Sequence, residues 1–328
     1  MSYGTGTLYD LSRLSSEVPT KVVDSIIQCM PLLDQMRFAQ CNNGVNNQTM
    51  LITDYPEGQL HGFNEGVSPE KAGGLTMQDS TCMLSTYSQI DVNLLALNDT
   101  SAEWRYNQEH AFQVGIAHKV ANMMFNGSLK KDPKSFDGLR ARYNKTGSGY
   151  EDVVVDAGGQ ASAAKGLTDI FIVNWDTALV HGIFPKGGVA GLKRIDRGEQ
   201  DCYDKNHKRF RGVVTDYDWK LGLAVEDRRQ VVRIANIDQG ALKATVDGGL
   251  DLVDMLIDAV EMFPQSLGSG AAMYMNGTLR AMLRKQIRHC SNVNLQWEEV
   301  AGRKVVSFDG VPVHKLPESI LTTYDKPI

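Results

Sequence analysis

The residues closest to a phosphate-binding loop lie at 182–188, where the chain reads Gly-Ile-Phe-Pro-Lys-Gly-Gly. In a phosphate loop, Lys and then Ser or Thr follow the second glycine and reach the terminal phosphates and the metal. Here Gly188 and Val189 follow Gly187, so both functional side chains are missing. A second glycine-rich stretch, 268–270, precedes a predicted strand, whereas a dinucleotide fingerprint opens a helix. We therefore predict structural loops and no cofactor.

The histidines are spaced too widely to form a metal site. His110 and His118 lie on one predicted helix, but they are eight residues apart. That is about two turns, too far for both to bind one ion. There is no His-Glu-x-x-His pattern, and the other five histidines are isolated in the sequence. We predict no metal-binding residue.

Carboxylates are plentiful but are not arranged for catalysis. Asp251, Asp254 and Asp258 fall on one side of a predicted helix whose other side is apolar. This pattern is typical of a solvated helix face and favours that interpretation over an acid–base pair. There is no Gly-x-Ser-x-Gly nucleophile motif either. We predict no catalytic residue and expect that the protein is not an enzyme. A soluble α+β enzyme with a polar cleft remains a less favoured alternative.

Composition narrows the class of protein. The chain has 328 residues, 42% hydrophobic and 22% charged, with a net charge of −5, so no overall basic field recruits nucleic acid. Its five cysteines are odd in number and contain no Cys-x-x-Cys pair, which argues against a disulfide framework or a zinc site. We find neither a secretory signal nor an apolar run of about 18 residues, and expect reduced thiols and no membrane span.

One charged segment, 193–211, carries both signs. Its seven basic residues alternate with Asp196, Glu199, Asp201 and Asp204. A nucleic-acid patch rarely interleaves so many acids. We interpret the segment as a loop whose charges are either solvated or paired between subunits.

A long amphipathic helix is the dominant element that the sequence predicts. From Glu103 to Phe125 there is no proline and only one glycine. The apolar stripe has helical spacing and consists of Trp104, Phe112, Ile116, Val120 and Met124. At about 1.5 Å per residue, this helix is roughly 35 Å long. Asn126-Gly127 is expected to end it in the left-handed conformation.

The segment before this helix has no core of its own. Residues 42–80 are polar and rich in turn sequences such as Asn-Asn-Gly and Pro-Glu-Gly. Such a segment cannot bury enough apolar surface to offset its ordering entropy. We therefore expect it to become ordered against another copy of the chain, a property of proteins that assemble.

The remaining pattern predicts an α+β fold. We expect a flexible arm at 1–17, a helix at 18–40 with a break at Pro31, and a strand at 81–97. Further helices are predicted at 250–263 and 278–289. Short strands are predicted at 153–155, 169–175, 230–235, 271–275, 294–297 and 305–308.

The order of several short motifs resembles the Hong Kong 97-type major capsid proteins of tailed bacteriophages, nearest to the epsilon-fifteen-like group. The motifs are Ile26–Phe38 followed by Gln40-Cys41-Asn42, Tyr55-Pro56 followed by Asn64–Val67, the long helix closed by Phe125-Asn126-Gly127 with Phe136–Leu139 downstream, Ala272–Thr278 leading into a helix, and Phe308–Val313. Each motif is weakly specific alone, and their common order extends over most of the chain.

The resemblance implies a fold of four segments. These are an N-terminal arm at 1–41, an extended loop at 42–97, a peripheral domain at 98–164 and 291–328 with the long helix as its spine, and an axial domain at 165–290. The C-terminal strands are expected in the sheet of the peripheral domain.

The resemblance also implies a function. It predicts a subunit that assembles into hexamers and pentamers of an icosahedral shell around double-stranded DNA, located in the virion after assembly in the host cytoplasm. Implied partners are further copies, a portal protein, separate scaffolding and decoration proteins, and non-specific contact with packaged DNA. No motif assigns a covalent cross-link. An encapsulin-like nanocompartment shell is the alternative.

Overall fold

The computed structural model describes residues 31–93, 101–144, 153–159, 166–203, 207–242, 250–264, 267–268, 270–289, 295–300 and 303–323. The predicted arm at 1–17 and the greater part of the predicted helix at 18–40 lie outside these residues. So do residues 94–97 of the predicted strand at 81–97.

The described chain is an alternation of helices and strands, which confirms the α+β class. Its helices are α1 (Pro31–Gln35), α2 (Ser101–Asn126), α3 (Leu139–Arg142), α4 (Leu252–Glu261), α5 (Gly277–His289) and α6 (Glu318–Leu321). Its strands are β1 (Phe38–Gln40), β2 (Asn46–Asp54), β3 (Gly73–Asp91), β4 (Val154–Asp156), β5 (Leu167–Asn174), β6 (Val180–Phe184), β7 (Lys193–Tyr203), β8 (Arg209–Val225), β9 (Val231–Asp238), β10 (Ala271–Asn276), β11 (Leu295–Val300), β12 (Arg303–Phe308), β13 (Val311–Leu316) and β14 (Thr322–Thr323).

One sheet is built on two long strands, β3 and β8. Strand order in the described part of this sheet is β1-β6-β8-β3-β2, with β7 also paired to β8. β3 and β8 are antiparallel from Thr81↔Gly222 to Asp91↔Gly212. The opposite edge of β8 pairs with β7 and then with β6. β8 therefore has partners on both edges over most of its length.

The other sheet forms the larger core. Its described order is β11-β12-β13-β10-β5-β9-β4, with β14 added to β5. β10 is buried throughout, as is nearly all of β5 and β9. Continuous apolar strands of this kind are covered on both faces. The sequence predicted this core well because such runs are bounded by Asn, Asp and Gly.

The eight-stranded sheet does not follow the predicted domain boundaries. It unites β4 and the C-terminal strands, assigned to the peripheral domain, with β5, β9 and β10, assigned to the axial domain. The C-terminal strands thus share one sheet with strands of both predicted segments, and the domain boundaries stay a prediction. The reason is a β-α-β connection: β10 and β13 are parallel, and α5 lies between them in sequence. Such long-range pairing leaves no local sequence signal.

Two local predictions were wrong. Residues 38–40 are not helical; they form β1, which pairs in parallel with β6. In the charged segment 193–211, predicted as a loop, residues 193–203 form β7 and residues 209–211 begin β8. β7 is exposed or half-buried at nearly every residue, so it shows no alternation of apolar and polar residues. Without that alternation, hydrophobic periodicity does not predict a strand.

The long helix is confirmed and connects the two sheets. Ile116, Val120 and Met124 of the predicted stripe are buried, and Phe112 is half-buried; the side chain of Trp104 lies outside the described side chains. Phe112 stacks on Tyr217 of β8 at 6.0 Å between ring centroids. At the other end, Phe125 packs on rings of the second sheet, at 5.3 Å from Phe171 and 5.7 Å from Tyr274.

The helix ends where the sequence predicted, but for a different reason. Neither Asn126 nor Gly127 adopts the left-handed conformation. Gly127 is required because a Cβ there would lie 2.5 Å from the carbonyl oxygens of both Met123 and Phe136. The chain after the helix thus folds back tightly onto its last turn.

A buried ion cluster fastens the segment after the helix to the core. Asp169 of β5 is fully buried, and its Oδ2 accepts hydrogen bonds from Arg140 of α3 and Arg233 of β9, both at 2.8 Å. Arg140 also donates to the carbonyl of Leu321. The cluster links α3, both central strands and the C-terminal segment in one geometry.

The described cysteines behave as buried apolar residues. Cys41, Cys82 and Cys202 are unpaired and buried. Burial raises the pKa of the Cys82 thiol to about 11, so it stays protonated and inert near neutral pH. The described helices also contain no segment long and apolar enough to cross a bilayer.

We expect Phe125→Ala to lower the free energy of unfolding by about 3–5 kcal/mol, because it removes a fully buried ring and leaves a cavity. Denaturant unfolding of the unassembled chain measures this. Met83→Ala, on a side chain that is largely exposed, is the control and should change the value by under about 0.5 kcal/mol. Equal losses in both variants would contradict this packing.

We expect His314 to make the fold acid-sensitive. It stacks on Tyr274, and burial together with the nearby Arg280 guanidinium lowers the pKa of His314 to about 4. The unfolded chain takes up this proton near pH 6.5, whereas the folded chain does so only near pH 4. Stability is therefore lost as the pH falls through that window. Melting temperatures measured from pH 7 to 4 should fall less steeply for His314→Gln than for wild type, and His61→Gln, at an exposed position, should leave the slope unchanged.

Candidate assembly surface

A β-hairpin leaves the first sheet because β3 is longer than its partner region in β8. Residues 73–80 of β3 pair with β2, from Asn46↔Ser80 to Ile52↔Gly74. From Thr81 onward, β3 pairs with β8 instead. The segment 42–80, predicted as a polar loop, therefore contains a two-stranded ribbon, and the strand predicted to start at 81 starts at Gly73. The cross-strand partner, which supplies the hydrogen bonds, could not be read from local composition.

The tip of the hairpin, residues 55–72, is exposed at every position. It is held by polar contacts within itself. Glu70 accepts from the backbone of Gly58 and the side chain of Gln59, and the Gly62 N–H donates to Glu65 at 2.8 Å. Leu60 and Phe63 nevertheless remain fully exposed. The tip thus presents two large apolar side chains to solvent.

The ribbon adds further exposed apolar surface. Met50 and Ile52 of β2 and Leu75 of β3 are each about half exposed or more. Contiguous exposed apolar side chains mark interaction sites. An isolated two-stranded hairpin is also only marginally stable in water. These properties together make the hairpin the leading candidate for a contact with another chain.

An open apolar groove lies between the long helix and β3. It is lined mainly by Leu84, Phe112, Gly115 and Ile116, with Lys119 at its rim, and encloses about 390 Å³. Gly115 leaves space there, since a Cβ at this position would meet no atom within 4 Å. The groove is large enough to receive an apolar side chain.

Charged side chains, together with the Phe112–Tyr217 stacking, hold the N-terminal half of the long helix against the first sheet. Glu109 accepts from Arg105 at 2.9 Å and from Arg194 of β7 at 2.6 Å, and Thr215 of β8 donates to it as well. Burial acts to lower the pKa of Arg194, but the adjacent Glu109 carboxylate raises it above its usual value. Burial, with Glu109 adding to it, raises the pKa of Tyr217 beside this cluster. The sequence did not predict this cluster, because a charged residue outside the apolar stripe of a helix is expected to face solvent, whereas Glu109 is buried.

The glycine-rich stretch at 182–188, predicted as a loop, is part strand and part turn. Gly182 lies in β6, where a Cβ would meet the Phe38 ring at 2.6 Å. Gly187 forms a turn with a φ of 78°. The stretch thus allows β1 and β6 to approach closely and then reverses the chain.

The other candidate chemical groups also have structural surroundings. Asp254 and Asp258 are exposed on α4, as expected for a solvated face, and Asp251 caps that helix by accepting from the N–H groups of Val253 and Asp254. Within the described residues, no three His, Cys, Asp or Glu side chains converge as a metal site.

The mixed charges of 193–211 pair across strands of the same chain. The exposed pairs are Arg197–Asp216, Arg209–Asp201 and Arg211–Glu199. These pairs lie within one subunit, so pairing between subunits stays a prediction.

A comparison with protein families identifies what this architecture belongs to. The family described as major capsid protein GP7 matches residues 15–325. The chain belongs to this family. No curated protein matches the sequence. The long helix, the protruding hairpin and the buried sheet therefore belong to a phage capsid subunit, as the sequence resemblance predicted.

Solved structures support the same assignment for this GP7-family chain. It is similar to the bacteriophage Epsilon15 structure, with 28% identity and a TM-score of 0.69, covering 88% of this chain and 86% of that one. It also resembles the bacteriophage JBD30 capsid at 13% identity and a TM-score of 0.50, covering 84% and 88%. The encapsulin of Synechococcus elongatus matches more weakly, with 10% identity and a TM-score of 0.44, covering 70% and 95%.

These similarities establish the class of function. The chain has the Hong Kong 97-type capsid fold and is a structural subunit of a phage capsid shell, present in the virion and associating with further copies. The matching family model favours this assignment over the encapsulin alternative.

We expect Glu109→Gln to lower the free energy of unfolding by about 2 kcal/mol, because it leaves Arg105 and Arg194 without their shared carboxylate in a partly buried site. Asp216→Asn removes a carboxylate from an exposed pair on the same sheet and should cost under about 1 kcal/mol. Urea unfolding compares them. If Glu109→Gln were as mild as the control, charge would not be fixing this half of the helix.

Proposed function

We propose that this chain builds the hexamers and pentamers of an icosahedral shell around double-stranded DNA, and that the hairpin within 42–97 is its main intersubunit element. The observation that carries this proposal is the fully exposed pair Leu60 and Phe63 at the tip of the hairpin. In the single chain, the side chains of Leu60 and Phe63 stay exposed to water.

The groove beside the long helix is the proposed docking site for the tip of another copy. It offers apolar walls and enough volume for the two large apolar side chains of the tip. The tip carries three glutamates and one lysine, Lys71, so it is acidic overall, and the groove is lined in part by Lys119, so the charges are complementary. Burying Leu60 and Phe63 would contribute roughly 1.5–3 kcal/mol each. Repeated around a closed ring, modest contacts give a stable assembly.

The remaining parts of the proposal follow from the capsid role. We propose an arm at 1–41, an extended loop at 42–97, a peripheral segment at 98–164 and 291–328, and an axial segment at 165–290. These names describe where each segment lies in the shell, and not which strands share a sheet. Assembly would take place in the host cytoplasm with a portal protein and with separate scaffolding and decoration proteins. A net charge of −5 suits a wall that touches packaged DNA without holding it. We propose no enzymatic activity.

The double variant L60S/F63S tests the docking step. Purified wild type should form shells, rings or capsomers of megadalton size in size-exclusion chromatography and negative-stain microscopy. The double variant should elute as unassembled chain, with an unfolding free energy within about 0.5 kcal/mol of wild type, because both positions are exposed.

The matched control is L60M/F63Y, which keeps the apolar volume at both positions. It should assemble as wild type does. Normal assembly of L60S/F63S would contradict the proposed role of the tip, and a wild-type chain that stays monomeric at high concentration would contradict the proposed shell.

A further inference from the structure

The root of the hairpin is a gap between two diverging strands. The last pairing of β3 with β8 is Thr81↔Gly222, and β3 then turns to β2. β8 continues through Leu223 to Val225, paired on its other edge with β6. The edge of β8 that faces β3 therefore has backbone groups at 223–225 that no longer have β3 as a partner.

Two charged side chains satisfy this edge. Asp79, on the ribbon part of β3, accepts the N–H of Val225 through Oδ2 at 3.3 Å. Arg142 of α3 donates to the carbonyl of Leu223 at 3.0 Å. The two side chains then bind each other, with Arg142 Nη1 at 2.6 Å from Asp79 Oδ1. Arg142 also donates to the carbonyl of Asp137. One carboxylate of the ribbon is thereby tied to both β8 and α3.

The Asp79–Arg142 pair is buried, with side chains only 5% and 9% exposed. A buried ion pair contributes little net stability because desolvation offsets its attraction, but it strongly favours one geometry. A two-stranded ribbon otherwise twists and bends readily. On the β2 side, the root is also fixed by backbone, since Lys186 N donates to the Gly44 carbonyl at 2.7 Å. The ribbon is thus held at both of its strands.

We propose that Asp79 and Arg142 are positioning residues that fix the direction of the hairpin relative to the body of the subunit, and so set the curvature of the shell. The link from direction to curvature rests on the proposed function, because the tip must reach its groove on the next copy. A ribbon free to swing would still dock, but at a range of angles between subunits.

The variant Asp79→Asn tests this proposal, since it keeps the shape and removes the charge. Hydrogen exchange on dilute, unassembled chain should show amides of 46–54 and 73–80 exchanging about tenfold faster, with 82–90 unchanged. Particles of the variant should show a broader distribution of diameters than wild type in electron microscopy. Glu199→Gln is the matched control, because it removes a carboxylate from an exposed pair on the same sheet, and should change neither measurement.

The outcomes separate this proposal from the preceding one. Wild-type exchange rates and diameters in Asp79→Asn would overturn the positioning role even if the shell assembles. If wild type forms no particles, the exchange measurement alone decides. Should Asp79→Asn fail to fold, Arg142→Lys replaces it: it keeps the charge but loses the planar fork that reaches both Asp79 and Leu223, and the same faster exchange is expected.

Discussion

A single long strand that belongs to two structures is the constraint on which this molecule depends. β3 pairs with β8 inside the body and with β2 outside it. One continuous strand therefore belongs both to the sheet of the body and to the projecting hairpin. The projecting hairpin exposes the side chains of Met50, Leu60 and Phe63 to solvent. Exposed apolar surface of this kind marks an interaction site. The subunit therefore has a buried core of its own but leaves apolar surface on the hairpin that another chain can bury.

The body that carries this surface is stiffened by charge at three places. Asp169, Glu109 and Asp79 each bind one or two arginines from a different element. Such buried clusters add little net free energy, since desolvation opposes the attraction. Their common effect is geometric: they fix the segment after the long helix, the N-terminal half of that helix, and the root of the hairpin. A subunit that must repeat in a closed shell needs this constancy of shape more than it needs extra stability.

Sequence and structure agree best where the signal is local. The long helix was predicted from spacing, and the buried strands β5, β9 and β10 from continuous apolar runs. Residue spacing did not predict β2, the first part of β3, β6, β7 or β8. For β7 the reason is exposure, because an exposed strand shows no alternation of apolar residues. The strands predicted at 294–297 and 305–308 correspond to β11 and β12, but residue spacing did not predict β13 or its parallel pairing with β10. For the candidate surface, the sequence showed the polar composition of 42–80. It did not predict the Asp79–Arg142 ion pair, because the two residues are far apart in the sequence.

The sequence by itself determined the class of the protein. It excluded catalytic and metal motifs, identified the helix and the uncovered segment, and carried the family resemblance, because each of these is a property of residue type at short spacing. Only the tertiary structure decided which strands share a sheet, that the mixed charges pair within the chain, and that Arg142 meets Asp79. Those facts depend on contacts between distant residues, which are selected by packing of the whole chain and leave no pattern along it.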